Sequence, residues 1–228
     1  MFAFSDARMG CYAEYKCMPQ DGAVACKPLG LSYGEAAALS FGGTTALDFL
    51  RRAKLQRGES VLINGASGAV GAAAVQLARH FGAHVTAVCS NKNLAFVKKL
   101  GADVTIDYKA TPLDSLKEKY DIFYDAFGST PLTTAARLLV KGGKYITTTP
   151  RGLNIVRAII PFVFGGPRVL MANLSTRKSG FELIEKLLVE EKLKAVIAEK
   201  FPLAKTREAY QSLKAGGHAG KVLITVVH

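Results

Sequence analysis

Between residues 60 and 174 the chain alternates short apolar runs with stretches whose apolar positions recur three and four apart. The short runs, bounded by glycine or polar turns, predict strands at 60–65, 84–89, 103–108, 121–127, 143–148 and 168–174. The periodic stretches predict helices at 69–81, 92–100, 131–140 and 177–191, with a further one at 112–119. Gly101, Gly128, Gly142 and Gly143 mark turns between these elements. Strand followed by helix, repeated, makes a parallel sheet covered on both faces. The expected class is α/β: a doubly wound parallel sheet of the Rossmann type, with ligand at the carboxyl ends of its strands.

Both flanks break this rhythm. Residues 10–18 alternate with period two, like an antiparallel strand. Ser32 and Glu35 form a capping box that starts a helix running through Leu39, and 44–53 reads as a second helix. Residues 195–203 and 221–227 read as strands around a helix at 205–215. The expected division is a sheet domain at 44–192, with 1–43 and 193–228 as pieces of a second domain.

Within the sheet domain, residues 60–71 carry the most chemistry. An apolar strand runs into a small-residue turn that opens an amphipathic helix at 69–80. Amide groups at a helix amino terminus have no intrahelical partner, and the helix dipole favours negative charge there. Against the pattern G-x-G-x-x-G the window is Ala66-Ser67-Gly68-Ala69-Val70-Gly71, with Ala66 in place of the first glycine. The following strand makes this a strand–helix–strand unit of dinucleotide-binding size. That second strand ends in Ser90-Asn91-Lys92-Asn93. An Asp or Glu at this place would hydrogen-bond the adenosine ribose and favour NAD. A hydroxyl, two amides and an ammonium accept a 2′-phosphate instead, so the expected cofactor is NADPH.

Composition narrows the alternatives. The 228 residues are 49% hydrophobic and 21% charged, as in ordinary globular proteins. No apolar run reaches membrane-spanning length, and there is no basic region followed by an apolar core at the amino terminus. Cys11, Cys17, Cys26 and Cys89 lack paired C-x-x-C spacing, so neither a zinc site nor a disulfide framework is indicated, and a cytoplasmic location is expected. The formal charge of +12 is spread along the whole chain, without aromatic interleaving. A positive field attracting an anionic dinucleotide accounts for it more simply than nucleic acid does. His80, His84, His218 and His228 read as surface histidines, and Cys89 as a small buried hydrophobe.

Ordered anchors along nearly the whole chain carry a family resemblance. They include Gly10-Cys-Tyr-Ala-Glu-Tyr, Leu31-Ser-Tyr-Gly-Glu-Ala-Ala-Ala-Leu, Gly43-Thr-Thr-Ala-Leu and the stretch from Val61 through Ala78. They continue in Leu100-Gly-Ala-Asp, Ile106-Asp-Tyr, Tyr120-Asp, Gly142-Gly-Lys and Gly220-Lys-Val. The chain resembles the medium-chain dehydrogenase/reductase superfamily, in its zinc-free quinone oxidoreductase and zeta-crystallin-like branch. The resemblance implies an NADPH-dependent reductase of quinones or other activated carbonyl and alkene compounds. It implies a GroES-like substrate domain beside the cofactor domain, with most of it, including the segment for the alcohol dehydrogenases' zinc-ligand motif, lying before the first residue here. It also implies a homodimer joined through the strand at 168–174.

By position, the resemblance puts Ser67, Gly68, Ala69, Val70 and Gly71 around the pyrophosphate. Ser90, Lys92 and Asn93 would lie at the 2′-phosphate, and Tyr108 near the adenosine. Phe127, Gly128, Thr148 and Thr149 would line the nicotinamide side, approached by Thr45. Ala69 stands where relatives have glycine, so its methyl is expected to crowd the phosphate. A quinone acceptor needs no metal; water or the Thr45 hydroxyl would supply the proton. Two other functions fit the same residues: a shortened, catalytically silent NADPH-binding relative, and an enoyl-thioester reductase.

Overall fold

The computed structural model describes residues 1–5, 9–148, 167–171 and 178–226. Its centre is a six-stranded sheet of β3 (Ser60–Asn64), β4 (His84–Cys89), β5 (Val104–Asp107), β6 (Tyr120–Asp125), β7 (Leu139–Thr147) and β8 (Arg168–Met171). The spatial order is β5-β4-β3-β6-β7-β8, every pairing parallel. The chain thus starts in the middle, winds outward to β5, then returns to wind the other way from β6. The crevice between β3 and β6 is the point where such sheets bind ligands.

Alternation along the strands sends side chains to both covered faces. Val61, Ile63, Ile122 and Tyr124 enter one core with α1 (Tyr33–Arg52), α2 (Ala69–His80) and α5 (Lys178–Val189). Leu62, Phe123 and Tyr145 enter a second core with Leu138 of α4 (Leu132–Leu138). The helix α3 (Leu94–Lys99) follows a 3-10 turn at Asn91–Asn93. At the chain's ends, β1 (Phe2–Ala3) pairs antiparallel with β2 (Val24–Ala25). There β9 (Ile197–Pro202) and β10 (Lys221–Thr225) form a parallel pair joined by α6 (Thr206–Ala215).

Four expectations need correction. The two helices expected around Gly42 and Gly43 are one, α1, which runs on past both glycines and past the expected boundary at 43/44. These glycines are sites of contact rather than breaks: a Cβ on Gly42 would stand 2.6 Å from the Ala69 carbonyl of α2. The Ser32 capping box is present, with Ser32 N donating to Glu35 Oε2 at 2.9 Å. Second, α2 is buried on nearly every side from Gly71 to Ala78, because α1 covers the face that would otherwise meet water. Third, residues 112–119 form only a 3-10 turn at Leu113–Ser115. The carbonyls of Leu113 and Leu116 accept from the Arg137 guanidinium at 2.8 and 2.7 Å, and Leu116 leaves the turn in an extended conformation, with ψ of 138°. Fourth, residues 10–18 form no strand; residues 10–17 are exposed and pair with no neighbour in the sheets described.

Candidate functional site

The turn after β3 is shaped by glycines, in a spacing other than the one expected. Gly65, with φ of 75°, turns the chain directly out of the strand. A Cβ on Gly71 would overlap the Gly65 carbonyl oxygen and stand 2.8 Å from Ala66 Cα. Gly68 is the N-cap of α2 and supplies no side-chain cap. The fingerprint is therefore Gly65-x-x-Gly68-x-x-Gly71, and Ala66 is a fully buried core residue rather than a replaced first glycine. The amides of Val70 and Gly71 open α2 without intrahelical partners, as an anion site requires, while Ala69 adjoins the parallel bridge between Gly68 and Gly220.

Beside this turn lies a cavity of about 570 Å³ at the carboxyl ends of the sheet strands. Of the expected residues it brings together Ser67, Gly68, Ser90, Asn93, Tyr108 and Phe127. Asn93 is 7% exposed, and its amide donates to Ser67 Oγ at 3.1 Å and Ser90 Oγ at 3.3 Å. The end of β4 is thus tied to the turn after β3 through hydroxyls, with no carboxylate among the three. Phe127 and Tyr108 are both exposed at the rim. Lys92 is exposed outside the lining, its ammonium against Gly217.

Other expected residues stand back from the cavity. Ala69, Val70 and Gly71 are in the first turn of α2. Gly128 is buried, and its amide donates to Asp125 Oδ1 at 2.9 Å. Thr148 donates to the Ala126 carbonyl at 3.0 Å, joining the ends of β6 and β7. Thr45 lies mid-helix in α1, outside the lining. Thr149 lies outside the described residues, as do 172–174 of the expected dimer strand.

The sequence reading missed Asp125, the last residue of β6. Its carboxylate is fully buried and accepts four hydrogen bonds, from Gly128 N and Thr130 N at 2.9 Å and from Asn64 Nδ2 and Tyr145 Oη at 3.1 Å. Burial and the Asp125 charge push the Tyr145 phenol well above its usual range, so it stays a donor. Asp125 therefore fixes residues 126–130, which carry Phe127 at the cavity rim. An acid closing the apolar run Ile122-Phe123-Tyr124 was the available signal. Burial, with Asp107 nearby, pushes the Cys89 thiol up to about 11, which makes it a poor nucleophile at neutral pH.

The carboxyl-terminal segment supplies a further wall. Gly220 N donates to the Ser67 carbonyl at 2.8 Å, and Gly217 and His218 line the cavity. Gln76 of α2 holds the same segment by exchanging bonds with the Lys194 backbone at 3.1 and 2.8 Å. Among the described residues no group of three His, Cys, Asp or Glu side chains is placed to hold a metal ion. No described helix is long and apolar enough to cross a membrane.

A doubly wound sheet with a glycine-shaped strand-to-helix turn at its switch point defines the class: a dinucleotide-fold protein. Comparison with known proteins narrows it. Residues 100–224 match the zinc-binding dehydrogenase family. The chain is 36% identical over 231 residues to a chloroplastic quinone-oxidoreductase homolog of Spinacia oleracea, covering 96% of this chain and 70% of that one. It is 35% identical over 224 residues to a 2-methylene-furan-3-one reductase of Solanum lycopersicum, covering 95% of this chain and 53% of the relative. The quinone oxidoreductase structure from Coxiella burnetii superposes with a TM-score of 0.87 at 29% identity, over 95% of this chain and 68% of that one. The chain belongs to the medium-chain dehydrogenase/reductase superfamily, among its quinone-oxidoreductase-like members.

Proposed function

We propose that this protein is an NADPH-dependent oxidoreductase that reduces quinones or related enones. The observation that carries the proposal is the Ser67–Ser90–Asn93 cluster at the end of β4, where hydroxyls and an amide occupy the place of a ribose-binding acid. The residues fit the cofactor. The amides opening α2 would hold the pyrophosphate, and a side chain at Gly71 would collide with Gly65 and Ala66 and displace the turn that shapes that site. Ser90, Asn93 and Lys92 would hold the 2′-phosphate, and Tyr108 and Phe127 would cover the adenosine and nicotinamide sides. When bound, NADPH supplies the hydride. This chain's residues bind and orient; Thr45 stands outside the lining, so water would deliver the proton.

The identities of the relatives support the substrate class, since one is named for a quinone and one for an enone. Titration with NADPH and NADH tests the cofactor reading: NADPH should bind at least about tenfold tighter, a difference of about 1.4 kcal/mol. Loss of reduced-nicotinamide absorbance on adding a simple quinone or enone tests the reaction. Equal affinities would remove the 2′-phosphate assignment, and tight binding without turnover on either acceptor would leave a binding protein. β8 is an edge of the described sheet, with β7 on one side. We assign its open edge to a second copy of the chain, measurable as a dimer by sedimentation.

A further inference from the structure

The segment 216–220 crosses from α6 to β10 as a strap along the cofactor cavity, and three of its five residues are glycine with positive φ. His218 is its only side chain larger than a methyl. That ring is held on both sides. Its Nδ1 lies 3.2 Å from Glu199 Oε1 on β9, and its Nε2 lies 2.7 Å from the Ser212 carbonyl on α6. The Ser212 hydroxyl closes the group, donating to Glu199 Oε2 at 3.0 Å and lying 3.1 Å from Nε2.

One residue before this anchor, the strap touches Lys92. A Cβ on Gly217 would collide with the Lys92 ammonium and stand 2.7 Å from Lys92 Cε. The ammonium therefore rests on the strap's backbone, and its residue stands on the 3-10 turn between Ser90 and Asn93 in sequence. At its other end the strap is tied separately, through Gly220 N to the Ser67 carbonyl of the phosphate turn. The anchor at His218 thus governs the half of the strap that backs Lys92, and the bond at Gly220 governs the half that meets the turn.

We propose that His218 is a specificity-determining positioning residue: it holds the strap under Lys92 and so sets the preference for a 2′-phosphorylated dinucleotide. This rests on the cofactor reading above. NADPH and NADH share every group except that phosphate. An ammonium is a point charge on a flexible stem, so its contribution depends on what fixes its place. Loosening the anchor weakens the phosphate contact and leaves the contacts common to both cofactors.

The test is titration of the full chain with NADPH and with NADH, in wild type and in His218→Ala, Glu199→Gln and Lys92→Ala variants. The expected result is an NADPH affinity about five- to tenfold weaker in His218→Ala, as for loss of one charge-assisted contact. NADH affinity should stay within about twofold, and adding Lys92→Ala should cost little more, as coupled residues require. His218→Gln, which keeps a donor for the Ser212 carbonyl, should recover part of the preference. A generally structural role would weaken both cofactors alike and overturn the proposal. So would an unchanged NADPH-to-NADH ratio in a folded His218→Ala variant. Should that variant fail to fold, Glu199→Gln, which lacks the carboxylate beside Nδ1 but keeps the ring, decides in the same way. Equal wild-type affinities would overturn this proposal together with the cofactor reading, whereas a wild-type preference untouched by either variant overturns this proposal alone.

Discussion

Two walls of one cavity are built on opposite principles. The wall at β3 and α2 is made by leaving side chains out: Gly65 and Gly71 let backbone approach backbone. The wall at β6 and β7 is made by putting one charge in: Asp125 collects donors from Asn64, Gly128, Thr130 and Tyr145. The first is sensitive to any added atom, the second to any removed one. A buried ion satisfied by neutral donors is tolerable only while every bond is made.

Breaking the second wall should have the largest effect. Asp125→Ala leaves the buried Gly128 and Thr130 amides without their acceptor, while Asn64 and Tyr145 keep only Thr130, and should cost about 3–5 kcal/mol, read as a lowered midpoint in urea denaturation. Breaking the first comes next. Gly71→Ala forces a methyl against the Gly65 carbonyl and should cost about 2–3 kcal/mol, with dinucleotide binding lost in the fraction that stays folded. The comparison is sharpened if Asp125→Ala hurts stability more than binding and Gly71→Ala does the reverse.

A control on β6 but in the core, off the cavity lining, carries the opposite sign. Tyr124 is fully buried against Phe49, and its hydroxyl has no hydrogen-bond partner among the described residues. Tyr124→Phe should stabilise the protein by about 1 kcal/mol, seen as a higher melting temperature. The smallest effect concerns Cys89 in the cavity lining. Burial and Asp107 favour its neutral thiol, so the thiolate grows only as pH rises toward about 11. At pH 7.5 iodoacetamide should label the exposed Cys11, Cys17 and Cys26 and leave Cys89 unmodified, as peptide mapping will show.

The sheet was legible because β3 and β6 are buried on both faces and so read as continuous apolar runs. The glycine turn was legible as a turn, but its spacing was not: Gly65 and Ala66 differ by one methyl, and only the backbone angle shows which one turns. The run through Gly42 and Gly43 looked like a break because local propensity disfavours glycine in helices. Packing against Ala69 reversed that preference. Alternation in 10–18 satisfied a local rule without the neighbouring strand such a segment needs. Asp125 and His218 escaped for a related reason: their partners lie between 3 and 61 residues away in sequence.

The unbroken α1 is a 20-residue rod, about 30 Å long at the usual helical rise. It rests on the opening of α2 at Gly42, close to its midpoint. Packed along its length from Ala36 to Leu50, it joins the sheet core to the start of α2, so a change at Gly42 bears on both at once.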